Sequence, residues 1–173
     1  AALRGIWGVL LLVVVVLAWA VPLVVGVFQT RGATALVYRG DDGIDKLTTT
    51  GHSHIWEVSR GFVTEHDLDP ADLGIRDIQS LLGADAAHNA SVARAVLAGE
   101  PGPVRDIVLL NAAGGLAAYE LSREPELLQE PIVQRLATQL ERAASVIDSG
   151  AASAKLDEWV AATTGVDLDE LDH

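Results

Sequence analysis

Three carboxylates fall close together at Asp41, Asp42 and Asp45, in the stretch Gly40-Asp41-Asp42-Gly43-Ile44-Asp45-Lys46. Hard oxygen donors in a short loop suit Mg2+, which takes one or two protein carboxylates and completes its shell with water and substrate phosphates. A solvated acidic turn has the same composition. His52 and His54 stand two apart. On a strand, side chains at that spacing share a face, which makes them a candidate metal pair without a third ligand; the polar face of a hairpin is the competing reading. His66 and His88 read as surface residues. The chain has no cysteine, so it has no thiol nucleophile, thiolate zinc site or disulfide. Gly40-Asp41-Asp42-Gly43 is not followed by Gly-Lys-Ser/Thr and is therefore not a P-loop, and no Gly-x-Ser-x-Gly elbow occurs. The residues alone give one candidate Mg2+ loop and no complete catalytic set.

What must position that loop is an acidic, strongly apolar chain. Among 173 residues, 24 are Asp or Glu and 12 are Lys or Arg, a formal net charge of −12 that argues against a nucleic-acid partner. Half of the residues are hydrophobic, which excludes a disordered polar tail. The charge is unevenly spread. Residues 1–38 contain Arg4 and Arg31 and no acid, and the run from Ile6 to Phe28 carries no charge at all. As a helix that run spans roughly 34 Å, enough for a hydrocarbon core of about 30 Å. Val9–Leu17 is apolar on every face, unlike a surface helix. The pattern predicts an apolar helix within residues 1–31, a candidate membrane span through residues 6–28, followed by an acidic domain at 32–173. Arg31, Arg39 and Lys46 after the run, against Arg4 before it, place that domain on the cytoplasmic side of such a span. Two readings compete with it: a buried segment of a larger fold, and a cleaved signal peptide, against which the length of the run and the lack of a nearby A-x-A-like site speak.

The acidic part reads as α/β, a short sheet plus helices. Gly32 stops a helix, and Ala33–Arg39 has the length and β-rich character of a buried strand. A loop at the carboxyl end of such a strand is where open α/β sheets bind ligands. His54–Val58 and Phe62–His66 around Arg60-Gly61 read as a β-hairpin. Asp69-Pro70 opens a short turn ending near Gly74. Four helices follow: Asp85 to Leu97 with Gly99 as stop, Arg105–Leu121, Ile132–Ser149, and Ala151–Thr163 ended by Gly165. Gly114-Gly115 costs helix stability, and close packing of another helix is its expected use. Asp167–His173 reads as a frayed tail.

A resemblance adds to this reading. Gly32-Ala33-x-x-Leu36-Val37, then Arg39-Gly40-Asp41-Asp42-Gly43-Ile44-Asp45-Lys46-Leu47-Thr48 and Ile55-Trp56-Glu57-Val58, resemble the late part of the anthranilate phosphoribosyltransferase family. The likeness continues through Asp67–Gly74, Gly83-Ala84-Asp85, Arg94–Gly99, Gly102–Asp106, Leu110–Ala113 and Ile147–Ala152, and covers about Pro22 to Thr164. It implies a partial phosphoribosyltransferase-like α/β domain from a usually dimeric, cytoplasmic enzyme of tryptophan biosynthesis. That family transfers a phosphoribosyl group from phosphoribosyl pyrophosphate to anthranilate with Mg2+ on the pyrophosphate. In its Gly-Leu-Asp-Glu-Leu motif the adjacent acids serve the metal. Here the motif reads Gly43-Ile44-Asp45-Lys46-Leu47, so the resemblance carries the metal role to Asp45 alone, with Lys46 a candidate for meeting phosphate directly. The family's Gly-Thr-Gly-Gly-Asp and Lys-His-Gly-Asn stretches, from its first half, do not occur here. The resemblance therefore implies a C-terminal portion inactive alone. The alternative is a single-pass membrane protein whose acidic domain is a non-catalytic interaction module. A half sheet also implies an open strand edge and a candidate protein partner that completes it.

Overall fold

A computed structural model describes residues 21–75, 81 and 83–164. The chain is helical over 21–30 (α1), then runs through strands β1 (Ala35–Gly40), β2 (Ser53–Ser59) and β3 (Phe62–Leu68). Four further helices follow: α2 (Ala86–Leu97), α3 (Pro103–Arg123), α4 (Ile132–Asp148) and α5 (Ala151–Thr164). Single 3-10 turns occupy Pro70–Leu73 and Pro125–Gln129.

The described sheet is an antiparallel meander in the order β1-β2-β3. The switch-point rule for parallel sheets therefore does not locate a site here; the β1–β2 loop must be judged by its own contacts. Arg60 and Gly61 both take positive φ, 52° and 81°, as a two-residue turn of the primed type requires. That turn matches the hairpin expected from sequence.

Strand alternation sends two sets of side chains to opposite layers. Leu36, Tyr38, Ile55 and Leu68 face α3 and α4, where they pack with Leu110, Ala113, Ala117, Ile132 and Leu136. Ala35, Val37, Trp56, Val58 and Val63 face the other way and pack with Val21, Val25 and Phe28 of α1. The described part of the apolar head is thus a covering layer of the sheet, and the hairpin turn holds its end: Gln29 Nε2 donates to the Gly61 carbonyl at 2.8 Å. This departs from the expected membrane span. Among the described residues no helix is long and apolar enough to cross a membrane. Residues 6–20 of the expected span, and the tail Asp167–His173, lie outside the described residues.

Two starts follow the sequence signals, whereas α3 runs Pro103–Arg123, longer at both ends than the expected Arg105–Leu121 because Pro103 opens the helix. Asp85 caps α2 by accepting from the His88 N–H at 2.8 Å, and Asp69 caps the first 3-10 turn through the Ala71 N–H at 2.9 Å. A third cluster, Val96, Leu109, Ala143 and Ile147, joins α2, α3 and α4. Arg105 of α3 pairs with Asp148 of α4 at 2.8 Å across the helical hairpin. Gly114 departs from expectation. A Cβ there would lie 3.2 Å from Leu47 Cδ1 and 3.5 Å from Tyr38 Cε1, so it admits the sheet and the β1–β2 loop rather than another helix. Gly115 meets nothing within 4 Å.

Candidate functional site

The β1–β2 loop is a folded object. Its backbone turns back on itself through Gly40 N–H to Ile44 carbonyl (3.1 Å), Gly43 N–H to Gly40 carbonyl (3.0 Å) and Asp41 N–H to His52 carbonyl (2.9 Å). Only glycine fits at position 40, where a Cβ would stand 2.5 Å from Asp42 Oδ1 and 2.9 Å from Ile44 Cγ2.

The three acids have different surroundings. Asp42, though exposed, is tied to the loop by hydrogen bonds. Its Oδ2 accepts from the hydroxyls of Thr48 (2.6 Å) and Thr50 (2.7 Å), and its Oδ1 from the Ile44 N–H (3.1 Å). Desolvation raises the Asp42 pKa, but these donors outweigh it and hold the carboxyl below its ordinary range. Asp41 is exposed. Asp45 is 89% exposed, and its Oδ1 lies 2.5 Å from the Lys46 ammonium. That hydrogen bond, aided by the charge of Lys46, lowers the Asp45 pKa.

Immediately after the acids the chain enters the core. Leu47, Thr48 and Thr49 are fully buried. Asn111, on the inward stripe of α3, grips the loop at Leu47: its Oδ1 accepts the Leu47 N–H at 3.0 Å and its Nδ2 donates to the Leu47 carbonyl at 2.9 Å. A polar residue on an apolar helix stripe was the available signal for this clamp. Tyr38 lies beneath; burial raises its pKa, and the nearby Lys46 charge pulls it part of the way down.

The histidines do not assemble as a metal pair. His52 precedes β2, and its Nε2 lies 3.9 Å from Asp69 Oδ2. His54 lies on β2 between two acids of β3, with Nδ1 2.7 Å from Asp67 Oδ1 and Nε2 3.0 Å from Glu65 Oε2. Its ring meets Trp56 edge-on at 4.2 Å. Among the described residues no group of three or more His, Asp or Glu side chains is arranged to hold a metal ion. His88 is exposed as expected, but His66 is not a free surface residue: its Nε2 lies 3.0 Å from Oε2 of the buried Glu57.

Mg2+ fits this loop only in a limited sense. Asp45 offers one exposed hard oxygen ligand, suited to an ion whose other ligands are water and phosphate. The loop does not form a cage of protein ligands.

This acid loop, folded under Gly40 and pinned to α3, can be compared with known proteins. The glycosyl transferase family, a/b domain, matches residues 11–153. The chain belongs to this family. Among curated relatives, the anthranilate phosphoribosyltransferase of Leifsonia xyli subsp. xyli is 69% identical over 145 residues, covering 83% of this chain and 42% of the relative. That of Acidothermus cellulolyticus is 50% identical over 153 residues, covering 86% and 42%. The chain thus spans less than half the length of these family members. Among solved structures, the Saccharomyces cerevisiae anthranilate phosphoribosyltransferase in complex with PRPP and Mg has a TM-score of 0.64 at 18% identity, over 77% of this chain and 36% of that one. The same yeast enzyme with 4-fluoroanthranilate gives 0.65 at 18% identity, over 79% and 37%. These two likenesses show a shared fold.

Proposed function

We propose that this chain is the C-terminal portion of an anthranilate phosphoribosyltransferase, a cytoplasmic enzyme of tryptophan biosynthesis, and that these 173 residues do not turn over alone. The observation that carries the reading is the 69% identity over 145 residues to the Leifsonia xyli enzyme. In the reaction, the bond from ribosyl C1 to pyrophosphate breaks, a bond from C1 to the anthranilate nitrogen forms, and the amine loses a proton. The substrates are PRPP and anthranilate. Mg2+ neutralises charge on the departing pyrophosphate, and Asp45 is the residue of this chain assigned to that ion. Asn111 and Gly40 keep the loop in shape, and α3 carries the loop's anchor.

Two features support a larger assembly. β3 ends the sheet with exposed Thr64, Glu65 and Asp67, the charged protection typical of a true edge. β1, Ala35-Leu36-Val37-Tyr38 before its Arg39, lacks that protection and is suited to a further strand. An apolar groove of about 480 Å³ lined by Val92, Val96, Val104 and Val108 opens between α2 and α3. Both features suit a partner that completes the sheet and the helical layer, namely the remainder of the family fold.

The test is co-expression with the part of the Leifsonia xyli enzyme that precedes its matched segment, in cells lacking their own anthranilate phosphoribosyltransferase. Growth without tryptophan, and loss of anthranilate fluorescence with PRPP and Mg2+ in the extract, are expected only when both pieces are present. Turnover by this chain alone, or no turnover by the pair, refutes the reading.

A further inference from the structure

The family motif expected at the loop places a second acid beside Asp45, and this chain has Lys46 there. We infer that Lys46 is a built-in counter-ion for Asp45: in the free chain its ammonium takes the place of a divalent cation at that carboxylate. The inference rests on the reading of Asp45 as the residue that meets Mg2+. Four observations carry it.

Lys46 Nζ lies 2.5 Å from Asp45 Oδ1, a direct charge-assisted hydrogen bond. Lys46 is 44% exposed against 89% for Asp45, so the cation is the more covered member of the pair. The neighbouring acid is engaged in the loop's own folding, since both oxygens of Asp42 accept from Thr48, Thr50 and the Ile44 N–H. The loop is also poorly placed to rearrange and recruit another carboxylate, since Gly40 leaves no space beneath it and Asn111 clamps Leu47 on both its N–H and its carbonyl.

A divalent ion at Asp45 would therefore find one carboxylate and, beside it, a like charge at close range. Its binding at Asp45 competes with the Lys46 contact on Oδ1 and is weakened by the ammonium charge beside it. Replacing the ammonium by a neutral or acidic group removes the competitor while leaving the exposed loop's fold intact.

Binding of Mn2+ alone, read as loss of the free-ion electron paramagnetic resonance signal, tests this on the full chain without any need for turnover. The wild-type chain is expected to show no binding that depends on Asp45. Lys46→Gln and Lys46→Glu are expected to tighten Mn2+ binding by about tenfold or more, with Glu the stronger. The gain should vanish in the double variant Asp45→Asn, Lys46→Gln. Circular dichroism confirms that each variant is folded. Wild-type Mn2+ binding equal to that of Lys46→Gln, or no gain in either Lys46 variant, overturns the inference. Failure of the co-expressed pair to turn over would count against the enzyme reading and leave this titration readable.

Discussion

Arg135 of α4 grips Glu57 of β2 with two parallel hydrogen bonds, Nη1 to Oε1 at 2.6 Å and Nη2 to Oε2 at 2.8 Å. Both side chains are buried, 5% and 1% exposed, and His66 reaches the same Glu57 Oε2. The pair fastens the sheet to its helical layer at a point where apolar contact would otherwise be expected. Such a pair gives little net stability against an apolar replacement, but breaking it strands a charge.

Arg135→Met should therefore destabilise the chain by about 3–5 kcal/mol in urea unfolding. The double change Glu57→Leu, Arg135→Met should cost less than the single one. A double variant as unstable as the single would show that the loss does not come from the stranded carboxylate.

Asn111→Ala should cost on the order of 2–3 kcal/mol, because it leaves the Leu47 N–H and carbonyl without the partners the structure gives them. The loss should appear locally as well. Hydrogen exchange at the Leu47 amide should quicken more than at Ile55 in the centre of the sheet.

His54 should make stability depend on pH. Partial burial of its ring lowers the pKa, but Asp67 and Glu65 outweigh that and raise it above the ordinary histidine value. A folded-state pKa above the unfolded one, about 6.5, means that the contribution is complete below that pH. It is lost as pH rises through the higher folded value. The advantage of wild type over His54→Gln in urea midpoint should be largest near pH 6 and shrink toward pH 8. Asp42 acts in the opposite sense: its lowered pKa gives stability present above the ordinary carboxyl range and lost on acidification through the folded value. An advantage for His54 that grew with pH would contradict the arrangement of acids around it.

Signals whose causes are local are legible in the sequence. Arg60-Gly61 takes two positive φ angles whatever lies across the sheet, and Asp85 caps α2 from within its own first turn. The roles decided by distant partners were not legible. Glu57 occupies an inward position of β2, which required a buried cation, but nothing in the spacing named Arg135. Gly114 has the pattern of a helix-packing position, whereas its neighbours, Tyr38 and Leu47, come from far earlier in the chain. The acid loop is legible from its three carboxylates and its place after a strand. Composition does not separate Asp42, whose carboxylate accepts from Thr48 and Thr50, from Asp45, which pairs with Lys46.

The meander has one more consequence, for the order in which the molecule acquires its shape. Each strand pairs with its neighbour in sequence, and β2 and β3 are joined by Arg60 and Gly61 alone. The α3–α4 hairpin is equally local. Closing short loops loses little chain entropy, and local contacts favour rapid folding. The sheet can therefore form from its own neighbouring pairings, without waiting for any strand that would later lie beside β1.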